Sequence, residues 1–285
     1  MKYETIKNWR FPEVEQTYTE LDTILYALGV GYGSDPMDEG QLRFVIEDGL
    51  RAAPTMPVVL AHMGFWQQNP ETGIDWRKIV AGETALELHK PLPVAGTVVS
   101  RARVTGIADK GAAKGAVVYL AREISDKATG ELLATIRTGT FCRGDGGLEQ
   151  SDPAPPPPPE MPAGAPDLAC ELRTVPQQAL IYRLSGDRNP LHSTPSAAKG
   201  VGFERPILHG LATYGLLGHA VVRTLCDYDP SRLASISARF SSPVFPGDTI
   251  RTDMWKRGDE VFCRATAVER NVVVLNNGVV RVKAA

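Results

Sequence analysis

The 285-residue chain is short of cysteine, of long apolar runs and of net charge, and each shortage removes a class of protein. Its four cysteines, Cys142, Cys170, Cys226 and Cys263, stand far apart and form no C-x-x-C pair. That spacing argues against a structural zinc site and against a disulfide framework, and a reducing, cytoplasmic compartment is the expectation. No apolar run approaches the roughly 18 residues of a membrane span, so no membrane partner is expected. The polar opening Met1-Lys2-Tyr3-Glu4-Thr5 lacks a secretory core, and the closing Val282-Lys283-Ala284-Ala285 is not an S-K-L address. A net charge of -2, with Lys and Arg scattered, makes no electrostatic case for nucleic acid or anionic lipid. No G-x-S-x-G elbow occurs, which disfavours a Ser-His-Asp hydrolase. What remains, 43% hydrophobic and 22% charged residues, is the composition of a soluble globular chain with room for one large domain or two ordinary ones.

Residues 17 to 30 read as a helix, with Thr17 or Thr19 as its cap and Leu21, Ile24, Leu25 and Leu28 at helical spacing. A glycine-rich loop from Gly29 to Pro36 ends it, and Thr55 to Trp66 form a second apolar helical candidate. Strands are expected at Thr84 to Lys90, Gly96 to Ile107, Gly115 to Ile124 and Glu131 to Arg143. Residues 144 to 167 then break the pattern with Pro153, the run Pro155 to Pro159, Pro162 and Pro166. Such a stretch favours extended polyproline II and serves as a semi-rigid linker. We expect a first domain over 1–146, a linker over 147–167 and a second domain over 168–285.

Beyond the linker the order of elements returns: a helix at Gln177 to Leu184, a loop at Gly186 to Ser196, and a long helix at Ile207 to Leu225. Strands follow at Ile236 to Phe240, Thr249 to Arg257, Glu260 to Glu269 and Val272 to Lys283. Leu25-Tyr26-Ala27-Leu28 aligns with Ile181-Tyr182-Arg183-Leu184 at an offset of 156, and Pro93 with Pro243 at an offset of 150. The halves therefore read as a duplication. On that alignment Asp187 falls opposite Gly31, Asn189 opposite Gly33 and His192 opposite Pro36, so the acid–base pair belongs to the second copy alone.

That pair sits in Tyr182-Arg183-Leu184-Ser185-Gly186-Asp187-Arg188-Asn189-Pro190-Leu191-His192, where Gly186 and Pro190 forbid a regular helix. An Asp and a His converging from such a loop can hold a water, take its proton and return a proton to carbon. Burial of the carboxylate would suit it to that duty. Asp187, Asn189 and His192 lack a clear set of partner ligands for a metal, and none is expected. His209-Gly210 opens the long helix, where free N–H groups and the helix dipole stabilise a developing oxyanion. His209 itself reads as structural, and Gly215 and Gly218 as points of close contact with a wrapping sheet.

Tyr182-x-Leu184-Ser185-Gly186-Asp187-x-Asn189-Pro190-Leu191-His192, followed by Phe203 to Gly210 and by Phe240-x-x-Pro243-Val244-x-x-Gly247-Asp248, resembles the signature of the MaoC-like (R)-specific enoyl-CoA hydratases, or hydratase 2. Direct motif support spans about residues 180 to 250, and the first half resembles a degenerate repeat more loosely. The resemblance implies an α+β double hot-dog fold, two antiparallel sheets each wrapped around a long central helix. It implies reversible hydration of a trans-2-enoyl-CoA to the (3R)-3-hydroxyacyl-CoA, with no cofactor beyond the CoA of the substrate, and a homodimer. Asp187 and His192 become the catalytic pair, Asn189 orders the site, and the Gly210 N–H holds the thioester carbonyl. Lys199 and Arg205 are candidates for the CoA phosphates. A hot-dog thioesterase and a non-catalytic acyl-CoA-binding protein are the competing readings; the paired Asp and His favour hydration over both.

Overall fold

The computed structural model describes residues 1–283. Ten strands, β1 (Val14–Tyr18), β2 (Ile79–Leu88), β3 (Gly96–Asp109), β4 (Ala116–Asp126), β5 (Leu132–Cys142), β6 (Leu168–Arg173), β7 (Leu233–Phe240), β8 (Thr249–Arg257), β9 (Glu260–Ala267) and β10 (Val272–Val282), form one antiparallel sheet. Its order is β1-β3-β4-β5-β2-β7-β10-β9-β8-β6. The second five strands repeat the order of the first five in reverse, so β2 and β7 are counterparts that meet at the centre. In that pairing Leu86 lies opposite Ile236, 150 positions later, the offset that aligns Pro93 with Pro243. A pseudo-twofold axis therefore passes between these two residues, which is the symmetry a duplicated chain produces.

Six α-helical segments accompany the sheet: α1 (Tyr3–Lys7), α2 (Glu20–Gly29), α3 (Glu39–Leu42), α4 (Gln178–Tyr182), α5 (Pro195–Gly200) and α6 (Gly210–Leu225). Thr19, not Thr17, caps α2: its side chain accepts the Asp22 N–H, and Asp22 accepts the Thr19 N–H at 2.8 Å. This closes a capping box. Thr17 lies in β1, where its hydroxyl meets that of Thr97. Residues 147–167 are tied to the sheet: Asp152 accepts from the Ile107 N–H and the Lys7 ammonium. Further along, the Pro159 and Gly164 carbonyls accept from Asn277 and Trp255.

The double hot-dog departs from the expected form in two respects. The two sheets join edge to edge through β2 and β7, and only the second half has a long central helix. In place of a helix over Thr55 to Trp66 there is a 3-10 turn at Met56–Val58, then coil until a second 3-10 turn begins at Trp66. The reason is a competing donor. The buried Arg122 guanidinium on β4 reaches the carbonyls of Pro57, Val58 and Leu60, and Ser100 donates to the Ala61 carbonyl at 2.6 Å. These bonds hold the segment in a path that is not helical, and Ala61 sits at φ 44°, outside the helical region.

Gly215 and Gly218 also differ from expectation in what they touch. A Cβ on Gly215 would lie 2.3 Å from Val30 Cγ1, and one on Gly218 would lie 2.4 Å from Thr55 Cγ2. The close approach is between α6 and the loops of the first half, not between α6 and the sheet. Gly215→Ala gains about 1 kcal/mol of helix propensity but forces an overlap that typically costs about 1–3 kcal/mol in a packed core. A net fall in the thermal midpoint is the expected result, and a rise would show that the two halves do not pack through this glycine.

Candidate active site

The loop after α4 folds as its sequence demands. Gly186 takes φ +124°, a region open to glycine, and turns the chain so that Asp187 and His192 lie on one side. Asn189 orders the next turn: its side chain accepts the Leu191 N–H at 3.0 Å, and its own N–H donates to Asp187 Oδ1 at 3.0 Å. Pro190–His192 then form a 3-10 turn that carries the His192 ring inward. One donor atom from each of Asp187, His192 and His209 lies within 4.8 Å of the others.

Burial here falls on the imidazoles rather than on the carboxylate, contrary to the sequence expectation. Asp187 is exposed, whereas His192 and His209 are buried. His192 Nδ1 lies 2.9 Å from the Ile207 carbonyl. A carbonyl only accepts, so Nδ1 holds the proton and Nε2 presents a bare lone pair. Desolvation lowers the His192 pKa below its ordinary 6.5, opposed by the Ile207 hydrogen bond and by Asp187. The neutral, proton-accepting form therefore persists to lower pH than for a free imidazole.

The His192 and His209 rings stack at 3.8 Å between centroids with planes 27° apart. Imidazole lone pairs lie in the ring planes, and two nearly parallel planes this far apart do not converge on one ion. The cluster as built suits a water between Asp187 and His192 better than a metal shared with His209.

Gly210 is the first residue of α6, directly after His209, and a Cβ there would lie 3.2 Å from a Phe240 ring carbon. The first bonded N–H groups of the helix are those of Ala212 and Thr213, both to the His209 carbonyl. The Gly210 N–H precedes them at the positive end of the helix dipole. Lys199 is exposed on α5, while Arg205 pairs with Glu204 at 3.5 Å and stacks its guanidinium 4.8 Å over Phe245.

Residue reasoning missed His62, which comes from the first half. Its side chain is exposed, and its Nδ1 accepts the Gly64 N–H at 3.1 Å. The Asp187 carboxylate and the Arg122 guanidinium bear on its charge in opposite directions, across 125 positions of chain in the first case. Nothing local marks His62: no motif surrounds it, and only the tertiary fold brings the Arg122-held segment to the loop. On the other side of the pseudo-twofold, Gly31 at φ +87° lies against Leu216 and His219.

Fold and site together place a candidate acid–base pair on a double hot-dog scaffold. The MaoC like domain family matches residues 159–278, and the MFE-2 hydratase 2 N-terminal domain family matches residues 16–144. The peroxisomal enoyl-CoA hydratase 2 of Arabidopsis thaliana is 38% identical, covering 93% of this chain and 91% of its own length. The crystal structure of a MaoC-like dehydratase from Phytophthora capsici superposes with a TM-score of 0.88 at 35% identity, over 99% of each chain. A Mycobacterium tuberculosis protein described as a double hot-dog superposes with a TM-score of 0.53 at 15% identity, over 96% of this chain and 94% of its own, a likeness of fold alone. The chain belongs to the MaoC-like hydratase 2 family.

Proposed function

We propose that this enzyme adds water reversibly to a trans-2-enoyl-CoA, giving the (3R)-3-hydroxyacyl-CoA. The observation that supports it most is the convergence of an exposed carboxylate, Asp187, and a bare imidazole nitrogen, His192 Nε2, beside the open helix terminus at Gly210. In the hydration direction Asp187 and His192 hold one water against C3. His192 takes a proton as the water oxygen bonds to C3, and the double-bond electrons move through C2 toward the thioester. The Gly210 N–H meets the charge that develops on the thioester oxygen. C2 then takes a proton from the pair, which returns it to its starting state, and the sum is addition of one water. Asn189 holds the Asp187 carboxylate through its N–H, and no metal or redox cofactor enters any step.

Lys199 and Arg205 are proposed as the CoA phosphate contacts, and the chain is proposed to have a single active site, to pair as a homodimer and to work in the cytoplasm. The last reading rests on four unpaired, dispersed cysteines, and cell fractionation decides between it and the peroxisomal placement of the Arabidopsis relative. No helix among the described residues is long and apolar enough to cross a membrane.

A spectrophotometric assay over a panel of enoyl-CoA thioesters, with chiral analysis of the product, tests the reaction. Loss of the enoyl absorbance with a (3R) product is the expected result; release of free CoA instead would assign a thioesterase. The acid limb of kcat/KM is expected to have its midpoint below 6.5, because the base must be neutral and burial lowers its pKa. A midpoint above 6.5 in the pH–rate profile would remove His192 as the base.

A further inference from the structure

The catalytic pair is held by a three-residue strip that the proposed reaction does not itself use. His192 Nδ1 donates to the Ile207 carbonyl at 2.9 Å, and two residues on His209 Nε2 lies 3.0 Å from the Asp187 main-chain carbonyl. The strip is itself fixed: the Leu208 N–H donates to the Val244 carbonyl at 2.7 Å, and the His209 carbonyl receives the first N–H groups of α6. Both members of the pair thus hang from Ile207-Leu208-His209, one through a ring nitrogen and one through its backbone.

We propose that His209 is a positioning residue: it sets the separation and aim of Asp187 and His192 through a hydrogen bond to the Asp187 backbone and a stack on the His192 ring. The Asp187 carbonyl can only accept, so Nε2 of His209 holds the proton and Nδ1 is bare. Nδ1 is buried and has no partner among the described residues. The Tyr182 ring lies 5.0 Å from the His209 ring, in addition to the stack with His192. Burial, then the neighbouring His192, push the His209 pKa down to about 4, with Asp187 opposing and Arg183 adding to the fall. His209 therefore remains a neutral donor throughout the range in which His192 works, and its own charge takes no part in the reaction. A purely structural histidine would need only the volume of the ring; this one is argued from the donor at a particular atom.

The proposal rests on the hydratase reading and is tested by three variants in the full chain. In His209→Gln the amide nitrogen reaches the place of Nε2, in His209→Asn it stops near Nδ1, and His209→Phe keeps an aromatic stack without a donor. With a favoured enoyl-CoA, the Asn and Phe variants are expected to lose on the order of 10- to 100-fold in kcat, the scale of a reacting group misplaced by about 1 Å. KM is expected to stay within about twofold, and Gln is expected to recover most of the loss. Thermal midpoints identify any variant that has not folded; if Asn or Phe fails to fold, the remaining one is compared with Gln. Equal kcat losses in Gln and the folded donor-less variant, a loss confined to KM, or no loss would overturn the positioning role. Absence of hydration by the unsubstituted protein would overturn the hydratase reading instead.

Discussion

Asp187→Asn is expected to lower kcat for hydration by roughly 10²- to 10⁴-fold, the range for loss of positioned acid–base catalysis, with little change in thermal midpoint. Asp187 is exposed, and its carboxylate accepts one local hydrogen bond, from the Asn189 N–H. The amide oxygen of Asn can accept the same bond, so the loop survives while the charge that aims the water is gone. His192→Gln is expected to fall by a similar factor, since the amide nitrogen can still donate to Ile207 but no basic lone pair remains. Because the two side chains act on one water, the double variant should be only slightly slower than either single one. Losses that multiplied in the double variant would show that Asp187 and His192 act in separate steps. Full activity in either single variant would remove that residue from the mechanism.

Arg122→Met is expected to produce the largest loss of stability. The guanidinium is buried, its pKa is lowered to about 10 by desolvation, and it donates to the carbonyls of Pro57, Val58 and Leu60. No carboxylate among the described residues forms an ion pair with it. Methionine matches much of the volume but strands three buried acceptors, each at roughly 1–3 kcal/mol. Chemical denaturation should therefore show a loss of several kcal/mol. A loss within about 0.5 kcal/mol, the range of an ordinary surface substitution, would mean that the 57–61 segment holds its shape without Arg122.

Much of the second half was legible in the sequence because its signals are local. The bounds of β8 are those expected, and α6 differs only at its start: Ile207–His209 form an extended lead-in because the Leu208 N–H pairs with Val244 instead of entering the helix. Two short strands, β1 and β6, escaped notice. Each is an edge of the sheet, with five and six residues and part of its length exposed, so no apolar run announces it. Thr55 to Trp66 misled for the opposite reason. Met56, Val58, Leu60 and Ala61 are truly buried, but a guanidinium bonded to the carbonyls of the segment holds a coil where periodicity predicts a helix.

The sequence by itself determined the path of the loop, since Gly186 acts through its backbone conformation and Asp187 and Asn189 through bonds two residues long. It also determined the repeat, because the counterpart strings survive in both halves. Only the tertiary structure decided that the two sheets are continuous, that the first half lacks a long helix, and that His209 rather than Asp187 is the deeply buried titrating group beside His192. Each of these depends on a contact between residues far apart in the chain, such as Arg122 with Leu60, Leu86 with Ile236, and His209 with Asp187, and pairings of that range leave no periodic trace in sequence.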